Sequence, residues 1–219
     1  MTDAHCHIRR GEARHFLCDP RTGTVGPGDV VFRGTHPWQA ETFDAEALRA
    51  ALAADPSLGV GEIGLDRLRD RHIGAAQTAA FAAQLALAAE FKRPVVLHGA
   101  KCWGEVVKAC LPYTDRIPAF LFHGFSRSEG LLADIVRLNG FISIGPALLN
   151  DHAVNYRALA CRVPRERLLV ESDATAENAA DAPSVEPIAA QLAALRGEDP
   201  SALAAQLEAN ADRFTEALR

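Results

Sequence analysis

PVVLHGAKCWGEVVKACLPYTDRIPAFLFH, running from Pro94 to His123, carries the fold in miniature. Its two ends, Pro94–His98 and Ala119–His123, are short apolar runs rich in β-branched and aromatic side chains, the composition of buried strands. Between them Trp103, Val106, Val107, Cys110 and Leu111 recur at helical spacing and fall on one face. Strand, helix and strand in that order predict two parallel neighbours joined by a crossover helix. Both strands stop at a histidine.

The same unit repeats outward in both directions. Strands are predicted at Thr2–His7, His15–Cys18, Val30–Arg33, Leu58–Ile63, Phe141–Ile144 and Leu168–Glu171. Helical faces fill most gaps: Leu131, Leu132, Ile135 and Val136 form one, and the Ala-rich stretch Ala75–Ala89 has strong helix propensity. Capping residues agree, with Ser128 before one helix and Asn139-Gly140 after it, and Ser184 before another that Gly197 closes. A last helix, Ser201–Leu218, aligns Leu203, Leu207, Phe214 and Leu218 for packing over the base. About eight strands alternating with helices predict an α/β fold of the TIM-like (β/α)8 barrel type. An open doubly wound sheet is disfavoured because no GxGxxG follows the first strand, and no GxxxxGK[ST] is present.

The 219 residues, 48% of them hydrophobic, are enough for one substantial core, so residues 1–219 are expected to form a single domain. A formal net charge of −5 offers no bulk attraction to nucleic acid, and two Trp and two Tyr argue against a protein that coats single strands by stacking. Five cysteines, an odd count without CxxC spacing, exclude a disulfide framework and a thiolate zinc site and point to buried, reduced thiols. No apolar stretch is long enough to span or engage a membrane, and the expectation is a soluble, cytoplasmic protein.

Chemistry gathers where strands end. His5 and His7 lie two apart in a strand and project to one face while Cys6 points the other way. His36 follows VVFRGT, Glu62 sits in LGVGEIG, His98 follows PVVL, His123 follows AFLF, and Asp173 follows LLVES. Each has an ordinary explanation alone: Glu62 as a salt-bridged carboxylate, His98 and His123 as hydrogen-bonded core histidines, Asp173 as a helix cap. Recurrence at strand after strand argues otherwise, because in a parallel barrel these positions converge on the C-terminal rim where active sites are built. Imidazole and carboxylate donors suit Zn²⁺, Mg²⁺ or Mn²⁺. Six candidate ligands, His5, His7, Glu62, His98, His123 and Asp173, exceed the needs of one tetrahedral ion. Two divalent metal ions bridged by a carboxylate are therefore expected, activating a water for hydrolysis.

These motifs resemble the TatD family of metal-dependent deoxyribonucleases, within the amidohydrolase-like barrels. The likeness rests on DAHCH (Asp3–His7), GTHPW (Gly34–Trp38), GEIGLD (Gly61–Asp66), VVLH (Val95–His98), HGFSRS (His123–Ser128), FISIG (Phe141–Gly145), LLVESDA (Leu168–Ala174) and NADRF (Asn210–Phe214). It implies that His5, His7 and Asp173 hold one ion, that His98 and His123 hold the other, that Glu62 bridges, and that Asp173 takes the proton of the attacking water. His36 would face the scissile phosphate or order the pocket, and Asp3 would fix an imidazole tautomer.

The chain departs from the family pattern in three places. His7 and His36 are only 29 positions apart (36 − 7), so the barrel is trimmed at its first helical crossover. The position two after His98 is Ala100, with Lys101 next, in an HxxKxW form that resembles a shorter branch of the family. Thr175–Pro183 replaces the usual proline-containing stretch after ESDA. Lys101 is a candidate phosphate contact, Arg127 either meets phosphate or caps a helix, and Arg9, Arg10 and Arg14 are either a local basic guide for a strand or a solvated loop.

The expected activity is a deoxyribonuclease or phosphodiesterase acting on DNA or another phosphoester, with Asp173 and Glu62 as catalytic groups and His36 and Lys101 on substrate. Two alternatives keep the same residues. One is a small-molecule phosphoesterase, lactonase or amidohydrolase; the other is a non-catalytic metal-binding component of a larger assembly.

Overall fold

The computed structural model describes residues 1–20, 24–126 and 129–218. Arg127 and Ser128 lie outside the described residues. Eight parallel strands stand side by side in chain order: β1 (Asp3–Cys6), β2 (His15–Cys18), β3 (Val30–Arg33), β4 (Gly59–Asp66), β5 (Val95–Ala100), β6 (Phe120–Phe122), β7 (Gly140–Ile144) and β8 (Leu168–Val170). The two free edges meet just past the strands. There the Asp173 N–H donates to the His5 carbonyl (3.1 Å) and the His7 N–H to that of Ala174 (2.8 Å), giving a nearly closed TIM-like barrel. Asp3 reinforces the seam from the side, its Oδ1 accepting the Ser172 N–H at 2.9 Å.

Among the described residues seven α-helices pack outside and below: α1 (Ala45–Ala54), α2 (Ala75–Glu90), α3 (Trp103–Cys110), α4 (Leu132–Arg137), α5 (Val154–Arg162), α6 (Val185–Arg196) and α7 (Pro200–Phe214). Local chemistry sets their ends. Asp44 Oδ1 accepts the Ala47 N–H at 3.0 Å to start α1, Asp199 does the same for α7 ahead of Pro200, and Gly197 closes α6 at φ 63°. The periodic residues of α3, Trp103, Val106, Val107 and Cys110, are all buried. Among the described residues no helix is long and apolar enough to cross a membrane.

The base of the barrel is aromatic. Phe214 of α7 lies 5.7 Å from Phe16, 5.7 Å from Phe32 and 5.8 Å from Phe141, ring centre to ring centre, so the last helix seals the end opposite the strand C-termini. Leu218 does not extend that helix; it falls in a short 3-10 turn, Glu216–Leu218.

Trimming goes further than one crossover. Among the described residues neither β1–β2 nor β2–β3 is joined by a helix. The buried carboxylate of Asp29 organises this wall instead, accepting the His15 N–H at 2.8 Å and the Gly26 N–H at 2.7 Å while pairing with Arg9 at 3.2 Å. Arg14 pairs with Asp212 of α7 at 2.8 Å, and Arg10 donates to the Ala182 carbonyl. The three arginines expected as a basic loop thus serve as internal ties. Of the cysteines expected to be buried, Cys161 is exposed.

Candidate metal centre

The donors come from β1 and its end (His5, His7), from within β4 and β5 (Glu62, His98), and from just past β3, β6 and β8 (His36, His123, Asp173). Gly64 pairs with His98 across β4 and β5, and a Cβ on Gly64 would collide with the His98 carbonyl; only glycine lets the two strands approach this closely. Both strands run past the expected ends, Ile63 and His98, to Asp66 and Ala100, which pair with each other. The extra length places Asp66 beside the His98 ring. His7 projects from just beyond β1, and Asp173 follows β8 in a left-handed backbone, φ 50°, which aspartate tolerates better than most residues.

Glu62, only 5% exposed in its side chain, is the hub. Its Oε1 lies 2.7 Å from His98 Nδ1, 2.7 Å from His123 Nε2 and 3.7 Å from His36 Nε2. Its Oε2 lies 3.3 Å from His7 Nε2 and 3.5 Å from His5 Nε2. One carboxylate thus faces two imidazole sets with its two oxygens. Asp173 Oδ1 stands 3.5 Å from His5 Nε2, and its side chain is 49% exposed, so the second carboxylate borders the open rim.

The electrostatics follow from this crowding. Burial alone would keep Glu62 protonated, yet His123 and His5 charge and hydrogen bonds from His123 and His7 outweigh it and hold the carboxyl well below its ordinary range. Burial likewise opposes ionisation of Asp173, but His5 and His123 hold it far below the usual value. Burial opposes charge on His123 too, and Glu62 with Glu171 raises the imidazole well above its ordinary value. His36 goes the other way, driven down to about 4, chiefly by burial.

The donor set fits divalent cations. Three overlapping groups, His5-His123-Asp173, His5-His7-Glu62 and His36-Glu62-His98, each bring their donor atoms within 4.8 Å of one another. His5 Nε2 is buried without a hydrogen-bond partner although two carboxylate oxygens face it at 3.5 Å, an arrangement that a shared cation satisfies. His36 belongs to this donor set as closely as the residues expected to be ligands. Lys101 lies exposed just beyond β5 at φ 56°.

Support for the imidazoles comes from residues that strand-end reading passed over. Asp66 Oδ2 is 3.0 Å from His98 Nε2, and Glu171 Oε1 is 3.7 Å from His123 Nδ1. Glu171 is itself fixed by the Gly124 N–H at 2.8 Å and the Ser143 hydroxyl. Cys18 Sγ lies 3.5 Å from His5 Nδ1. Asp3, expected to steady an imidazole, instead binds Ser172. The signal of Asp66 and Glu171 in the sequence was their place inside GEIGLD and LLVESDA, next to the donors.

Comparison with known proteins shows the family. The family model described as TatD related DNase matches residues 27–216. The 3'-5' ssDNA/RNA exonuclease TatD of Citrobacter koseri is 30% identical over 211 residues, 90% of this chain and 78% of that protein. Its counterpart from Cronobacter sakazakii is 33% identical over 196 residues, 83% of this chain and 74% of that one. In structure the chain is similar to the TatD homolog YJJV of Escherichia coli, with a TM-score of 0.84 at 24% identity over 97% of this chain and 96% of that one. An uncharacterized amidohydrolase of Saccharomyces cerevisiae aligns over 85% of this chain and 81% of that one, at a TM-score of 0.68 and 15% identity, a likeness of fold alone.

Proposed function

The chain belongs to the TatD-related DNase family of metal-dependent hydrolases acting on phosphoester bonds, and from that premise we propose that it cleaves phosphodiesters of single-stranded nucleic acid with two divalent ions at the Glu62 hub. The observation that carries the proposal is the division of labour between two carboxylates: Glu62 buried between two imidazole sets, Asp173 half-exposed at the rim.

In this reading His5, His7 and Asp173 would hold one Zn²⁺, Mg²⁺ or Mn²⁺, His98 and His123 would hold the other, and Glu62 would serve both. When bound, the ions lower the pKa of a coordinated water to about 7 and neutralise charge on the phosphoryl oxygens. Asp173, held ionised and accessible, accepts the proton of the attacking water. Glu62 keeps its charge at neutral pH and fixes the spacing of the two imidazole sets. His36 stays neutral, its Nδ1 accepting from the Trp38 backbone N–H and its Nε2–H left to donate to an oxygen of the scissile phosphate, and Lys101 meets a neighbouring phosphate as a point charge. The half-exposed Asp173 supports an extended strand over a ligand enclosed in a pocket. Residues 1–219 act as one unit in this proposal, and the free cysteines support a reducing compartment, the cytoplasm.

A labelled single-stranded oligonucleotide incubated with Mg²⁺ or Mn²⁺ tests this. Degradation is expected, abolished by chelator and by His123→Ala. Activity that survives both treatments refutes the proposal.

A further inference from the structure

We propose that the exposed indole of Trp38 is a nucleobase platform, holding the base beside the scissile phosphodiester and making an unpaired strand the preferred substrate. The inference rests on the phosphodiesterase reading above and adds the group that grips the base.

Trp38 is 55% exposed, whereas Trp103, the only other tryptophan, is 3% exposed and packed on Phe122 and Phe125. A ring kept for packing alone would be buried like Trp103. Its exposure is nonetheless rigidly maintained. The indole N–H donates to Asp66 Oδ2 at 2.8 Å, the Arg69 guanidinium lies over the ring at 5.6 Å, and the backbone N–H donates to His36 Nδ1 at 3.2 Å. A fixed aromatic surface facing solvent is preorganised for stacking, because little freedom is lost when a flat ligand lands on it.

The platform adjoins the candidate metal centre. The same Asp66 oxygen that accepts from Trp38 lies 3.0 Å from His98 Nε2, so one carboxylate oxygen spans the two. The His36 ring sits between, 4.8 Å from the Trp38 ring and 4.5 Å from the His98 ring. A surface cavity of about 410 Å³ opens beside the indole, lined in part by Pro37, Arg69, Asp70, His72 and Gln77, within the roughly 300–1,000 Å³ range of ligand clefts.

Exposed cations stand beside the indole, together with the Glu41 and Asp70 carboxylates that line the same cavity. Arg69 and Arg71 are exposed on the loop after β4, and the Arg67 N–H donates to the Ala100 carbonyl at 3.0 Å, which brings Lys101 to the start of that loop. An exposed aromatic beside cations is how single strands are gripped without sequence preference: every base has a π-face, and the cations track the backbone. A base within a duplex is already stacked on its neighbours and must leave them to reach Trp38. One such platform is compatible with an aromatic-poor chain, because only the base at the site of cleavage needs holding.

Two 5′-labelled strands separate the effects: one natural, one abasic at its two 3′-terminal positions, each assayed with wild type, Trp38→Ala and Trp38→Phe. Trp38→Ala is expected to raise KM for the natural strand about tenfold and to leave KM for the abasic strand unchanged. Trp38→Phe, which keeps a ring but lacks the bond to Asp66, restores most of the loss. A single strand should also quench the indole emission of wild type and leave that of Trp38→Phe, carried by buried Trp103, unaltered. Equal KM changes on both strands, or none on either, overturn the platform while the phosphodiesterase reading stands. Wild type that hydrolyses neither strand overturns that reading and the platform with it.

Discussion

Glu171 Oε1 stands 3.7 Å from His123 Nδ1, on the other ring nitrogen from the one that meets Glu62 Oε1 at 2.7 Å. The imidazole is therefore flanked by two buried carboxylates, one on each ring nitrogen. Glu171→Gln preserves the shape and removes the charge. Activity on a single-stranded oligonucleotide is expected to fall about 10- to 100-fold, with the far-ultraviolet spectrum unchanged. Full activity in the variant would show that His123 needs no such support.

Glu62 faces both imidazole sets, one carboxylate oxygen to each. Glu62→Gln keeps its volume but leaves five imidazoles without their central anion, and hydrolysis is expected to drop by about three decades, equivalent to about 4 kcal/mol of transition-state stabilisation. Steady-state kinetics at saturating Mn²⁺ measures it. Retention of a tenth or more of wild-type kcat contradicts the hub assignment.

Cation binding should also be visible as stability. A ligand present at about 100 times its Kd adds about 2.7 kcal/mol to the native state, which for a domain of this size raises Tm by roughly 5–10 °C. Chelator-treated protein titrated with Zn²⁺ or Mn²⁺ in a thermal melt is expected to show that rise, and His5→Ala is expected to blunt it. Equal melting of the chelated and supplemented protein contradicts it.

His36 gives a pH signature in the chelated protein. Its native pKa is about 4, set chiefly by burial, whereas the unfolded chain takes up the proton near pH 6.5. Between those values the unfolded state binds more protons than the native one. Stability present above pH 6.5 is therefore lost as pH falls through 6.5 toward 4, by up to about 3 kcal/mol. Urea midpoints measured at pH 7 and 4.5 should converge more in His36→Asn than in wild type. Parallel losses in the two proteins would assign the acid sensitivity elsewhere.

The strand–helix–strand unit from Pro94 to His123 was legible because its signals are local: β-branched runs, one apolar helical face, and a polar residue where each run stops. The convergence of His5, His7, Glu62, His98, His123 and Asp173 followed from barrel topology alone, since parallel strands present all their C-terminal ends on one side. What sequence reading missed depends on register. Asp66 reaches His98 only because β4 and β5 stay paired to Asp66 and Ala100. Trp38 reads as one residue of a motif until its exposure is seen. Arg9, Arg10 and Arg14 look like a basic loop in one dimension, but chain trimming between β1 and β3 brings Asp29, Asp212 and the Ala182 carbonyl against them. Asp3 faces the seam and Ser172, a contact created by closure of the barrel.

Metal-depleted protein titrated with Mn²⁺, with bound ion measured by equilibrium dialysis and oligonucleotide hydrolysis measured in the same samples, addresses the central claim directly. Two equivalents bound, with hydrolysis rising as the second is taken up, is the predicted result. Hydrolysis at full rate before any ion is added, or two ions still held by the Glu62→Gln, His123→Ala double variant, would contradict it.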